Sequence, residues 1–280
     1  KEITALITHR GLHQFRTMPF GLVNAPATFT RIMRILLQGS QDLDNYLDDV
    51  LAHSTDWNSH MRALRDFLIR VREANLTLRP TKCSLGYPSV NFLGHRVGNQ
   101  KVEPNQDTVN KILLAERPTT KKQLRSFIGL ISYYRKFIPN FAAIAVPLTD
   151  LTRKGSPNDL PWEDVHQRAF DSLRRYIANP PIMRLPDLSE PFVLQTDASN
   201  QGLGAILLQE VEGVKHPIMF ASRKLLPREQ NYSTIERECL AIVWGIQKFQ
   251  VYLYGRQFVL ETDHQPLQYL HRTKFGNGRL

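Results

Sequence analysis

The stretch "LDNYLDDVLAHS", Leu43 to Ser54, sets two adjacent carboxylates, Asp48 and Asp49, inside an apolar, aromatic-flanked run. Successive residues of a strand face opposite sides, so a strand with a buried face excludes such a doublet. A tight turn accepts it, because Asp bonds its own backbone there. The flanks "NYL" and "VLAHS" are strand-like. The stretch therefore reads as strand, tight turn, strand, with the doublet at the tip, where two consecutive side chains reach the same space. Carboxylates held that close repel unless a cation joins them, and Mg²⁺ takes a few carboxylates together with phosphate oxygens. The doublet is either turn chemistry alone or a site suited to phosphoryl transfer.

The whole chain bears on that choice. It has 280 residues, 42 % of them apolar, which supports a sizeable core and roughly two domains. The formal net charge of +10 makes a polyanionic partner plausible, although the basic residues are dispersed. Two cysteines, Cys83 and Cys239, are too few for a disulfide framework and point to a reducing compartment. No apolar run approaches the ~18 residues of a membrane span, and there is no signal-peptide pattern. The chain opens on Lys1, and both ends read as cut from a longer polypeptide.

Before the doublet, "ITHRGLHQFRTMPF" reads as a hairpin. "GLVNAPATFTRIMRILLQG" then turns helical, with Asn24 as a candidate cap and Pro26 in the first turn. Beyond it, Leu64, Leu68 and Val71 recur at helical spacing behind Asp56, another candidate cap. "LTLRPTKCSLGYPSVNFLGHRVGNQKVEP" is strand-rich, and "TTKKQLRSFIGLISYYRKFI" and "WEDVHQRAFDSLRRYIAN" are helices. "NPPIMRLPDLSEP" holds four prolines and reads as a linker. From Phe192, "FVLQTDAS", "GLGAILLQE" and "HPIMFASRKL" look like successive strands, "STIERECLAIVWGIQKFQVYL" a buried helix and "QFVLETDHQ" a further strand.

"YLDD" at Tyr46–Asp49 resembles the catalytic hairpin of reverse transcriptases. The ordered series "MPFGLVNAPATF", "YLDD", "NFLGH" and "LRSFIGLISYYRKFIPNF" resembles the Pol region of gypsy-type LTR retrotransposons, and the resemblance covers essentially the whole chain. It implies that Asp48 is a direct metal ligand and Asp49 the supporting carboxylate of a two-metal site, with Mg²⁺ ions about 3.5–4 Å apart. Phe20, Gly21, Asn24 and Pro26 would then position template and incoming nucleotide, with Gly21 letting backbone approach a base. Phe20 stands where many retroviral enzymes carry Gln. Tyr46 is either a platform under the primer terminus or a core aromatic, and Lys82 either a proton donor to pyrophosphate or a solvated lysine. Phe92, Leu93, Gly94 and His95 would grip the primer end. Arg125, Gly129 and Tyr133 share one helical face. By resemblance that face tracks the minor groove of template–primer, with phosphate contacts from Lys121, Lys122, Arg135 and Lys136; the other reading is a helix crossing packed tightly at Gly129.

Taken singly, Asp197 in "LQTDAS", Glu238 in "IERECLAIVWG" and Asp263 in "LETDHQPL" read as solvated charges or caps. Together, strand-Asp, helix-Glu, strand-Asp looks like the ribonuclease H fold, in which two Mg²⁺ ions activate water to cut the RNA strand of an RNA–DNA hybrid. Helical spacing leaves the burial of Glu238 open, and Glu236 is a near neighbour; "ECLA" favours Glu238. Ser199 and Asn231 are weaker candidates for hybrid contacts.

The expected organisation is a partial α+β reverse transcriptase palm over 1–103, an antiparallel sheet with helices lacking the fingers and the first catalytic Asp. A helical thumb over 104–180, a Pro-rich linker over 181–191 and an α/β ribonuclease H-like domain over 192–280, truncated before its fourth carboxylate, complete it. The missing closing helix should leave Ile242, Val243 and Ile246 poorly covered. The resemblance implies an RNA-directed DNA polymerase and ribonuclease H in the parent protein, with this segment by itself catalysing little. It also implies Mg²⁺ with Mn²⁺ as a substitute, an RNA template, a DNA primer, RNA–DNA hybrid and deoxynucleoside triphosphates, and neighbouring protease and integrase segments. The location it implies is intracellular, in a cytoplasmic virus-like particle with nuclear access and no membrane partner. The rival expectation is a decayed or co-opted nucleic-acid-binding product without catalysis; a third is an inactive connection domain at 190–280.

Overall fold

The computed structural model describes residues 4–19, 21–265 and 267. Its contacts divide the chain into two units, Lys1–Tyr87 and Pro88–Leu280.

In the first unit, β1 (Leu6–Thr8) and β2 (Gly11–His13) form a short antiparallel pair. Helix α1 (Ala25–Leu36) follows, with Pro26 in its first turn. Asn24 occupies the N-cap position, but its side chain makes no capping bond, contrary to expectation. The hairpin of β3 (Leu43–Tyr46) and β4 (Asp49–Ala52) pairs Tyr46 with Asp49 and leaves Leu47 and Asp48 as its two-residue turn. Helix α2 (Trp57–Glu73) starts at Asp56, whose carboxylate accepts from the Ser59 N–H at 2.9 Å. Met33, Leu37, Leu43, Ala63, Phe67 and Val71 close a small core between the two helices and the hairpin.

The second unit opens with an antiparallel meander, β5 (Ser89–Phe92), β6 (His95–Gly98) and β7 (Lys101–Pro104). These strands, expected within 1–103, group with the helices that follow them. The helices are α3 (Gln106–Leu113), α4 (Lys121–Tyr133), α5 (Phe141–Leu151) and α6 (Asp164–Ala178). Thr120 and Gln123 form a capping box on α4, which buries Leu124, Phe127 and Ile131 against Phe170, Leu173 and Ile177. The segment expected as a linker is built into the fold. Its β8 (Met183–Arg184) pairs with β7, and Met183 is fully buried. The buried Gln209 carboxamide accepts from the Asp187 N–H at 2.9 Å and donates to the Asp187 carbonyl at 2.5 Å. Proline removes ladder donors but not packing, so a Pro-rich segment can still be held by side chains from elsewhere.

A four-stranded sheet completes the unit in the order β11 (Val214–Lys224), β10 (Gly202–Val211), β9 (Phe192–Ala198), β12 (Phe258–Glu261). The first three are antiparallel; β12 lies parallel to β9. The crossover between β11 and β12 carries α7 (Thr234–Lys248) and the short α8 (Gln250–Leu253). At Gly245 a Cβ would stand 3.1 Å from Thr196 Cγ2 and 3.3 Å from Ala205 Cβ, so the glycine lets α7 lie close on β9 and β10. Ile242 is buried beside Cys239 and Leu267, against the expectation that it would be poorly covered; Val243 is exposed.

Candidate functional site

The clearest constellation among the described residues is Asp197, Glu238 and Asp263, which can each bring one carboxylate oxygen within 4.8 Å of the others. Asp197 sits near the end of β9, Asp263 two residues beyond β12, and parallel pairing of those strands puts both at one end of the sheet. Glu238 comes from the first half of α7. It is buried, and its Oε2 has no hydrogen-bond partner. Burial, then the charges of Asp197 and Asp263, pushes the Glu238 carboxyl above its ordinary value; a bond from the Ala198 N–H acts the other way. A buried, unpartnered carboxylate oxygen aimed at two further acids fits a hard cation with oxygen ligands. Glu236 is engaged differently: it accepts from Ser233 N–H and Oγ–H at 2.8 and 3.0 Å, as the third residue of a capping box. The cluster opens into a cleft of about 420 Å³ whose lining includes Asn140, Thr196, Asp197, Gly204 and Asp263. Nearby Glu261 is occupied by Lys215 at 2.5 Å and Gln195 at 2.7 Å.

This arrangement has a measurable cost. An acid whose folded pKa is raised opposes folding once the pH passes its unfolded value, and that cost is complete above the folded value. In metal-free solution at pH 7–8, Glu238→Gln should therefore raise the melting temperature, by about 2–4 °C for each kcal/mol relieved. The gain should vanish near pH 4, where both forms are neutral. Added Mg²⁺ should stabilise the parent more than the variant. Thermal scans at both pH values decide it; a variant less stable than the parent at pH 7–8 contradicts the placement of Glu238.

In the first unit Asp48 and Asp49 are both exposed, and Tyr46 is exposed as well. The turn residue Leu47 has φ +55°, as two-residue hairpin turns commonly require, at some cost to a non-glycine residue. Tyr46 is therefore no core aromatic. Gly21 also has positive φ, +87°, which by itself favours glycine. Phe20 lies outside the described residues. Lys82 is exposed at the end of a short 3₁₀ turn.

In the second unit Leu93 and Gly94 form the turn between β5 and β6, at φ +47° and +69°. The Tyr133 hydroxyl donates to the Leu93 carbonyl at 2.5 Å and Tyr134 to the Gly94 carbonyl at 2.8 Å. His95 Nδ1–H donates to Leu93 at 2.7 Å, and its buried Nε2 has no partner. Phe92 pairs with His95 across the turn. Tyr134, which the sequence reading passed over, thus fastens the turn together with Tyr133; the only signal was the doublet "YY".

Arg125, Gly129 and Tyr133 are all exposed on α4, opposite Leu124, Phe127 and Ile131. A Cβ at Gly129 would meet nothing within 4 Å, so the tight helix crossing is absent. Three of the four flanking cations also have partners within the chain. Lys121 donates to the carbonyls of Arg153 and Ser156, Arg135 to that of Ser222, and Lys136 lies over the Phe137 ring; only Lys122 is left as a plain exposed charge. Ser199 is spent on its own turn, bonding Gly202. Asn231 ends a 3₁₀ turn.

Comparison with known proteins divides the chain differently, since the first match runs on past Tyr87 through β5 into β6. Residues 1–97 match the family model described as reverse transcriptase (RNA-dependent DNA polymerase), and residues 162–260 the RNase H-like domain found in reverse transcriptase. The chain is 43 % identical over 279 residues to the retrovirus-related Pol polyprotein from transposon 297 of Drosophila melanogaster. It is 36 % identical over 293 residues to that from transposon gypsy of the same organism. The chain is similar to the reverse transcriptase–RNase H segments of retrotransposon Pol polyproteins. It covers 99 % and 100 % of itself in these matches but only 26 % and 28 % of those relatives' length. Two solved structures share the fold at 24 % identity: a foamy viral protease-reverse transcriptase with ds DNA, TM-score 0.87 over 98 % of this chain and 48 % of that one, and one with RNA/DNA hybrid, TM-score 0.80 over 99 % and 38 %.

Proposed function

We propose that the protein containing this segment is an RNA-directed DNA polymerase with ribonuclease H activity, copying retrotransposon RNA and degrading the RNA strand of the hybrid. The observation that carries the reading is the three-acid cluster of Asp197, Glu238 and Asp263 on an RNase H-like sheet, in one chain with a "YLDD" hairpin. The two hard-oxygen sites call for Mg²⁺, with Mn²⁺ as a substitute. A divalent cation bound among the three acids supplies Lewis-acid activation of water and neutralises phosphate charge. The chain's own part is to fix the acids before substrate arrives: β9 and β12 set Asp197 and Asp263 side by side, and Gly245 lets α7 bring Glu238 down to them. Asp48 and Asp49 hold the corresponding place for primer extension, with Tyr46 under the primer end and Gly21, Asn24 and Pro26 beside template and nucleotide. Phe92 to His95 hold the primer strand. Template RNA, primer DNA and deoxynucleoside triphosphates are the substrates this requires, and the reading puts the reaction inside the cell, in a particle that also holds the protease and integrase segments. Cleavage of labelled hybrid with and without EDTA tests the reading; cleavage that survives EDTA overturns it.

The open face of α4 carries the second nucleic-acid contact. A Cβ at Gly129 would point into open space, so Gly129→Ala should raise stability by up to ~1 kcal/mol through helix propensity. The added methyl should nevertheless weaken template–primer binding, because the face then stands off the duplex. Arg125, held at one nitrogen by the Thr152 carbonyl, keeps other donors for phosphate. Arg125→Ala should flatten the salt dependence of binding by about one unit of slope or less. Anisotropy titrations across a salt series check both; unchanged affinity in the stabilised Gly129→Ala protein removes α4 from the interface.

A further inference from the structure

We propose that Asn140, from the helical segment, is a substrate-contacting residue of the acid cleft and bonds a ribose 2′-hydroxyl of the RNA strand. The inference rests on reading Asp197, Glu238 and Asp263 as a ribonuclease site.

Asn140 stands at the N-cap of α5, where Asn ordinarily has extended backbone and caps the helix with its own side chain. Here it does neither. Its backbone is left-handed, φ +51° and ψ +28°, and its side chain makes no capping bond. The cap has been handed to another element: the N–H of Ala142, second residue of α5, donates to Ser222 Oγ on β11 at 2.9 Å. Ser222 is buried, and Arg135 bonds its carbonyl, so the substitute cap is held from two sides.

The carboxamide released in this way turns to the acid cleft. Asn140 Oδ1 stands 3.2 Å from where a Cβ of Gly204 would lie, and Gly204 is the cross-strand partner of Asp197. A Cβ at residue 204 would crowd Asn140 Oδ1 by a few tenths of an ångström, so glycine there leaves the amide room beside the acids. Asn140 and Asp197 line the same cleft. A left-handed backbone that Asn tolerates, a transferred cap and an exposed amide at the rim of the acid cleft leave the Asn140 side chain free to meet a substrate.

The chemistry of the rim narrows the partner. A carboxamide offers a donor and an acceptor, and a 2′-hydroxyl answers both. A phosphate oxygen only accepts, so it would engage the amide donor alone. The contact would let the helical segment report which strand is RNA.

The test is single-turnover cleavage by the full protein of hybrids whose RNA carries one 2′-deoxy residue at successive positions. Asn140→Gly removes the amide and keeps left-handed backbone at no steric cost; Asn140→Asp keeps the shape and loses the donor. In the unaltered protein one position should show a penalty of about tenfold. Both variants should cleave all-ribose substrate slower by a similar factor, mainly through KM, with that positional penalty gone and melting temperature unchanged. A penalty that persists in Asn140→Gly, or all-ribose cleavage equal to the parent's, overturns the contact. Asp197→Asn separates the two levels. If it is inactive while Asn140→Gly behaves as the parent, only Asn140 is misassigned; if Asp197→Asn cleaves normally, or the unaltered protein does not cleave, the ribonuclease reading falls and the contact with it.

Discussion

Asp197→Asn is expected to slow cleavage of the RNA strand by more than about 100-fold while leaving primer extension within about twofold. The asymmetry follows from where the charge sits. Asp197 is the one member of the cluster on the strand next to both β10 and β12, and its carboxylate is one of three that can converge within 4.8 Å. Replacing one oxygen by an amide keeps the shape and removes a third of the negative charge on which cation binding depends. The melting temperature should not fall, because the exchange relieves repulsion on the buried Glu238. Quantifying cleavage and extension on one preparation checks this, and parallel losses of both would point to misfolding instead.

The second large effect is expected at Asp48→Asn: loss of primer extension by more than about 100-fold, with template–primer binding nearly intact and RNA cleavage retained. Asp48 is exposed in a two-residue turn, so no core contact is at stake and stability should stay within about 0.5 kcal/mol. Asp49 remains on β4 but cannot hold the site by itself. Extension assays with Mg²⁺ and with Mn²⁺ provide the check; undiminished extension by the variant removes Asp48 from the polymerase site.

What could be read from sequence was what local rules decide. A charge doublet between strand-like flanks announces the hairpin, although the turn itself takes Leu47 and Asp48 and leaves Asp49 as the first residue of β4, and Asp56 before an apolar period caps a helix wherever it folds. The choice of Glu238 over Glu236 was also legible on physical grounds that the reading left unused: Ser233 followed three residues later by Glu236 is a capping-box signature, which spends Glu236. Other features depend on partners far along the chain. Strand β7 is paired with β8, a strand some eighty residues on. The Pro-rich segment is ordered by Gln209, and the cap of α5 comes from Ser222. Arg135 looked like a free cation because nothing near it in sequence announces Ser222, whereas the ring under Lys136 belongs to the very next residue, Phe137. The burial of Ile242 rests on Leu267, which periodicity within α7 could not supply.

The central claim is that one chain carries two separate carboxylate sites with different chemistries. The most direct measurement follows both strands of one primer-extendable RNA–DNA hybrid, each labelled, in Mg²⁺ with the unaltered full protein, Asp48→Asn and Asp197→Asn. The account predicts DNA lengthened and RNA shortened by the unaltered protein, RNA shortened alone by Asp48→Asn, and DNA lengthened alone by Asp197→Asn. RNA cleavage persisting in Asp197→Asn, or both activities lost together in either folded variant, would contradict it.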